Sequence, residues 1–252
     1  MGSKGLAGII PEEELLGYRD RDGVTFGEAI QQNAGYDLTG GPAEFGPIAG
    51  FYELHVEQGP ELLLAGKPVG VVSHIAAPSR YRVFVHGTAS HSGSTLMGRR
   101  KDGLAASAEI VLGLERLARE IGDAVVATAT IFGLKPVSIN VIPGEVELGI
   151  DIRGIDKAPI RRLVSGFRAL VDEVATRRGI QIEIETLSEE DPVTLDRVMV
   201  ERLYQACERK HIPYLKAVSR AGHDAMYVAR IAPAAMLFVP SKDGLSHNPG
   251  EF

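Results

Sequence analysis

Ile180-Gln181-Ile182-Glu183-Ile184-Glu185-Thr186 alternates without a break, isoleucine against glutamine or glutamate. A period of two puts the isoleucines on one face and the polar side chains on the other, which predicts a half-buried strand. Working back from it, Pro159 to Arg178 reads as a long helix. Two strands come before that, Ala124 to Phe132 and Val146 to Ile152, with Pro136 and Pro143-Gly144 in their connection. Asp102 to Glu120 is an Ala- and Leu-rich amphipathic helix, and Tyr81-Arg82-Val83-Phe84-Val85-His86 is the strand that opens the series. The order is βαββαβ, the ferredoxin-like split arrangement, in which an antiparallel sheet carries two helices on one face. Residues 77–190 are expected to form this α+β block.

The flanks read differently. Phe51-Tyr52-Glu53-Leu54-His55-Val56-Glu57 alternates as a strand and ends at Gln58-Gly59-Pro60, and Val69 to His74 is another short strand. After the block come a helix over Leu195 to Arg209, a short strand, a Gly-His-Asp turn, a helical piece and a strand over Ala234 to Val239. That rhythm suits an α/β domain with a parallel sheet. Residues 1–76 and 191–252 are therefore expected to be one discontinuous α/β domain interrupted by the block. Near the start, Pro11 followed by three glutamates reads as one helix start, and Thr25 with Glu28 three residues on as another.

The 252 residues carry a net charge of −6 with both signs interspersed. A clustered basic face, which binding to phosphate backbones requires, is absent from the pattern, so no nucleic-acid partner is expected. Arg99-Arg100-Lys101 is too short to alter that and reads as a solvated helix start. The longest apolar stretch, near Ile231 to Val239, is far below the ~20 residues of a membrane helix. The single cysteine, Cys207, reads as a core residue and allows no intrachain disulfide. With no long apolar run ahead of Glu12-Glu13-Glu14, a signal peptide is not expected, and the expected location is the cytoplasm.

Seven histidines are scattered and form no compact metal motif. His55 shares a strand face with Glu53 and Glu57, which reads either as a solvated face or as a site at a strand end. His247 lies in a polar loop after a buried-looking strand, either a plain turn or a ligand to Zn²⁺ or Mn²⁺. His91 is crowded by small residues in Gly87-Thr88-Ala89-Ser90-His91-Ser92-Gly93-Ser94-Thr95, which allows close approach of a substrate or describes a flexible loop. Asn140 sits in a turn. Arg153 closes a strand, where a guanidinium suits a carboxylate but is also common at the surface. His223 and Asp224 are placed to orient one another, or Asp224 to cap the next helix. His74, His86 and His211 read as structural or surface residues.

Taken in order, Glu53-Leu54-His55-Val56-Glu57-Gln58-Gly59-Pro60, Gly70-Val71-Val72, His91-Ser92-Gly93-Ser94-Thr95, Arg100-Lys101-Asp102, Asn140-Val141-Ile142-Pro143-Gly144, Asp151-Ile152-Arg153, Gly222-His223-Asp224-Ala225 and Ser246-His247-Asn248-Pro249-Gly250-Glu251 resemble the hydantoinase/carbamoylase family of amidases. That family lies within the wider group of zinc aminopeptidases and aminoacylases. The resemblance covers nearly the whole chain. It implies a partial zinc-aminopeptidase-like catalytic domain interrupted by a ferredoxin-like lid that also forms a homodimer. It implies a metal-dependent hydrolysis of a carbamoyl or ureido acid at two divalent ions (Zn, Mn, Co or Ni).

By the same resemblance His55 and His247 would be metal ligands, and Gln58 and Gly222 would line the substrate pocket. Asn140 and Arg153 would hold the substrate carboxylate. His91 would stabilise the oxyanion, reaching across from the partner subunit. Two features depart from the family pattern. The family's opening His-x-Asp and Glu-Glu segments have no counterpart, and the chain stops where members continue into a final helix. A fragment is therefore expected, with weak metal binding and little activity. Leu96 also stands where proline is usual. Allantoate hydrolysis, an aminoacylase- or dipeptidase-like activity, and a non-catalytic dimerisation fragment are the competing readings.

Overall fold

The computed structural model describes residues 2–20, 22–34 and 46–244. In chain order the elements are α1 (Gly2–Leu6), α2 (Glu12–Gly17), α3 (Phe26–Ala34), β1 (Phe51–Val56), α4 (Glu61–Leu64), β2 (Val69–Ile75), β3 (Ala77–His86), β4 (Ser90–His91), α5 (Gly103–Ile121) and β5 (Val125–Lys135). They continue as β6 (Val141–Ile142), β7 (Glu145–Gly154), α6 (Lys157–Arg178), β8 (Gln181–Glu189), β9 (Val193–Thr194), α7 (Arg197–Arg209), β10 (Tyr214–Ser219), α8 (Asp224–Val228) and β11 (Ala234–Val239). The chain divides into two compact units, residues 1–75 with 193–252, and residues 76–192. No helix among the described residues is long and apolar enough to cross a membrane.

The unit of residues 76–192 is a four-stranded antiparallel sheet in the order β5-β7-β3-β8. The alternation read from sequence sets its faces. On β3, Tyr81, Val83 and Val85 point inward and are fully buried, whereas Arg80 and Arg82 are exposed. The inward residues join Ile110 and Leu114 of α5 and Leu163, Phe167 and Val171 of α6 in one apolar core. Burying each such side chain contributes roughly 1.5–3 kcal/mol before the entropy of ordering is subtracted. Asp102 starts α5 by accepting the Ala105 N–H at 3.0 Å. Glu109 of α5 binds both Arg177 and Arg178 at the far end of α6.

A small ribbon grows from one end of this sheet. β4 and β6 pair antiparallel, Ser90 with Ile142 and His91 with Val141. The chain turns into the ribbon at Gly87, where a Cβ would collide with the Lys101 carbonyl and the Gly103 amide nitrogen, so only glycine fits. Two-residue strands are too short to show a period, so the sequence pattern around His91 and Asn140 gives only loop and turn.

The other unit holds the strand path β1-β11-β2-β10, with β9 added beside β2. β1 runs parallel to β11, and β10 parallel to β2, but β11 and β2 are antiparallel. The sheet is therefore mixed, not parallel as the strand–helix rhythm suggested. A rhythm of elements does not register direction when a connection is long enough to return either way. The sheet's core holds Val71, Val72, Ile75, Met226, Met236 and Phe238, all essentially buried. Asp196 caps α7 through the Met199 N–H at 2.8 Å. Thr25 and Glu28 form the capping box read from sequence, Thr25 Oγ1 accepting the Glu28 N–H at 3.1 Å and Glu28 Oε2 accepting the Thr25 N–H at 2.7 Å.

Candidate functional site

A cleft of about 490 Å³ opens in the unit of residues 1–75 and 193–252, beside β1 and the start of α8. Its walls include Glu53, His55, Gly222, His223, Asp224 and Ser3. Alternation on β1 turns Glu53 and His55 to the same side as their register partners Met236 and Phe238 of β11.

Both glutamates that flank His55 are engaged by helix starts, so the solvated-face reading of the three residues fails. Glu53 Oε2 accepts the Ala225 N–H at 2.6 Å, the first turn of α8. Glu57 accepts the Glu61 and Leu62 N–H groups at 3.1 and 2.9 Å, the first turn of α4. Free N–H groups at a helix N-terminus favour a carboxylate in this way. Burial raises the Glu57 carboxyl above its ordinary value despite those bonds.

His55 Nδ1 lies 2.7 Å from the Val56 carbonyl. A carbonyl only accepts, so Nδ1 carries the proton and Nε2 holds the free lone pair. The ring meets that of His223 edge to face, with centroids 4.7 Å apart. The His223 side chain is 1% exposed, with Nδ1 3.7 Å from Glu53 Oε1. Burial, and then the neighbouring His55, pushes His223 down to about 4, so it is neutral at neutral pH. Asp224 accepts from Ser3 Oγ at 2.5 Å, so it is bonded to α1 rather than capping its own helix. Gly222 lines the cleft, with open space where a Cβ would stand.

Gln58 follows β1 with a positive φ of 59°. Its N–H donates to Ser241 Oγ at 2.8 Å, tying the chain just past β1 to the chain just past β11. Gln58 is not among the residues lining the cleft. His247 lies outside the described residues.

The remaining three candidates belong to the unit of residues 76–192. His91 sits on the β4–β6 ribbon, exposed, with Asn140 next to its paired residue Val141. His91 Nδ1 accepts the Gly93 and Ser94 N–H groups at 3.0 and 3.2 Å. The proton is thus on Nε2, and this imidazole presents a donor where His55 presents an acceptor. Arg100 fastens the same loop, donating to the Ser92 carbonyl at 2.5 Å and the Thr95 carbonyl at 3.0 Å. The sequence pattern reads it as part of a solvated helix start, and its partners are too local and too irregular for a pattern to reveal. Asn140 Oδ1 accepts from Ser138 Oγ at 2.8 Å.

Arg153 is elsewhere. It lies eight residues along β7 from Glu145, roughly 26 Å at 3.3 Å per residue, whereas the ribbon springs from the Glu145 end. Its guanidinium grips Asp151 with Nε at 2.8 Å and Nη2 at 2.9 Å. Burial alone would raise the Asp151 carboxyl, but Arg153 and Arg80 outweigh it and hold it below its ordinary value. The structure therefore brings Glu53, His55, Gly222, His223 and Asp224 together, and His91 with Asn140, but leaves Arg153 apart from the ribbon. Glu53 and His223 are the residues that sequence reading undervalued.

The donors fall short of a divalent-ion centre. Among the described residues His55 offers one imidazole nitrogen with no partner, while Glu53, Glu57 and Asp224 are bonded to backbone amides or a hydroxyl. Among the described residues no three His, Cys, Asp or Glu side chains converge as ligands. A catalytic zinc normally has three protein ligands, so these residues alone do not hold one.

The sequence pattern of peptidase family M20/M25/M40 matches residues 8–252. An N-carbamoyl-L-amino acid amidohydrolase of Geobacillus stearothermophilus is 36% identical over 256 residues, across 100% of this chain and 62% of its own length. An allantoate amidohydrolase of Escherichia coli is 35% identical, across 99% of this chain and 61% of its own. A crystal structure of a hydantoinase/carbamoylase-family amidase from Burkholderia multivorans superimposes with a TM-score of 0.90 at 35% identity, covering 99% of this chain and 60% of that one. The chain thus spans about three-fifths of the length of these relatives.

Proposed function

Since the chain belongs to peptidase family M20/M25/M40, and its relatives there include amidohydrolases of carbamoyl amino acids and allantoate, we propose that the whole protein hydrolyses a C–N bond of a linear amide. The substrate class is an N-carbamoyl-L-amino acid or another ureido acid. The observation that carries this is the match along the whole chain to relatives whose names share that chemistry.

The roles follow from what each side chain offers. His91 is the catalytic donor: its Nε2–H polarises the ureido carbonyl and stabilises the oxyanion. Asn140 and Arg153 bind the substrate carboxylate, with Gly222 at the cleft wall; Gln58, outside that lining, reaches the substrate from the chain just past β1. The distance of Arg153 from the ribbon along β7 favours a homodimer, in which His91 and Asn140 of one copy serve the other copy's site. Residues 76–192, as a ferredoxin-like lid, would make that dimer. His55 and His247 are assigned as ligands of the divalent ions. The described residues complete no such centre, so the chain by itself is expected to bind metal weakly and turn over little.

The test is ammonia release by the whole protein from matched N-carbamoyl and N-acetyl amino acids and from allantoate. Turnover of the ureido substrates is expected, and His91→Ala should lower kcat by about 10²-fold, the usual loss of one oxyanion donor. Preference for acetylated amino acids or dipeptides would overturn the substrate class. No turnover of any of them would leave a non-catalytic dimerisation module.

A further inference from the structure

We propose that His223 is a positioning residue that sets the ring of His55, and that Ser219 and Glu53 hold it there; this rests on reading His55 as the working imidazole of the cleft. Among the described residues His55 has one side-chain hydrogen bond of its own, to the carbonyl of the next residue. So local a bond does not fix the ring against the rest of the site. The edge-to-face contact with His223 does, because His223 is buried and cannot yield.

His223 is itself pinned from three elements. Ser219, the last residue of β10 and 1% exposed, donates to the Ala221 carbonyl at 3.0 Å and accepts the Ala221 N–H at 3.1 Å. Its remaining contact, 2.7 Å to His223 Nε2, therefore has the imidazole as donor. Glu53 draws the turn carrying His223 onto β1 through the Ala225 N–H. Phe238 of β11 closes the third side, with ring centroids 5.7 Å apart. β10, β1 and β11 thus converge on one buried ring, and that ring abuts His55. The device resembles a support behind a ligand histidine, made of packing and a serine instead of a direct hydrogen bond.

The experiment reads ring tautomers on the 252-residue chain with ¹⁵N-labelled histidine, His55 being assigned by loss of its signals in His55→Asn. In the unaltered chain, His55 should show separated Nδ1–H and bare Nε2 resonances, and His223 the reverse. His223→Ala should collapse the two His55 resonances toward an average. Ser219→Ala should do the same to a smaller extent, and Ser219→Thr, which keeps the hydroxyl, should restore the separation. If His223→Ala fails to fold, the Ser219 pair decides. Unchanged His55 resonances in a folded His223→Ala or Ser219→Ala chain would overturn the proposal. The readout needs no turnover, so failure of the amidohydrolase reading is detected separately by the ammonia assay.

Discussion

Replacing Arg100 with Met keeps the aliphatic stem and removes the guanidinium that binds the Ser92 and Thr95 carbonyls at 2.5 and 3.0 Å. Hydrogen bonds to a charged donor are worth roughly 1.5–3 kcal/mol each when dry. Here Ser92, Thr95 and Arg100 are all half-buried residues, so water recovers most of that, and on the order of 1 kcal/mol remains for the pair. What is lost is local. The loop from His91 to Thr95 keeps the Ser92 N–H bond to the Asn140 carbonyl and the Thr95 N–H bond to the His91 carbonyl, so it loosens without unfolding the sheet. Hydrogen exchange reads this directly. The Gly93 and Ser94 amides, which point at His91 Nδ1, should exchange about fivefold faster in Arg100→Met, the equivalent of ~1 kcal/mol. Core amides on β3 and β7 should not change. Equal exchange at Gly93 and Ser94 in the two proteins would refute the idea that Arg100 holds the His91 loop, and with it the claim that the loop fixes the Nε2–H tautomer.

Two further perturbations follow from the packing. Glu53→Ala removes the acceptor at the start of α8 and should cost about 1–2 kcal/mol in urea denaturation, with Glu53→Gln, which keeps an oxygen for the Ala225 N–H, recovering most of it. The acid limb of stability should depend on Glu109. Hydrogen bonds from Arg178 and then Arg177 hold its carboxyl down to about 2, so its contribution is present above the ordinary carboxylate range and fades as pH falls from about 4.5 through 2. Glu109→Gln should flatten that limb by less than about 1 kcal/mol, because the ion pair is partly exposed and screened. An unchanged acid limb would remove Glu109 from the account.

Particular residues show where the sequence was informative. The unbroken alternation of Ile180 to Thr186 and the two long helices made the strand and helix order of residues 76–192 legible, because one apolar face per element reports directly on a shared core. Capping at Thr25 was legible because its signal is local, whereas Asp102 is read from sequence as the first residue of its helix and the structure makes it the cap. The cleft was not. Glu53 and Ala225 are 172 residues apart, and nothing in either segment announces the other. Arg153 offered a sign that was missed. Asp151 and Arg153 are two apart on a strand and so share a face, which puts a carboxylate within reach of that guanidinium.

The bond between Glu53 and the α8 amide also dictates an order of events on the ribosome. β1 is made early, yet its pairing strand β11 and its helix α8 are made only after residues 76–192. Those residues carry their own core and can settle before the ends meet. His55 therefore waits, with β1 unpaired at the edge it will share with β11, until the last described strand has been synthesised. Closing so long a loop is slow, and a stall during translation between β9 and β11 would expose β1 while the unit of residues 76–192 was already complete.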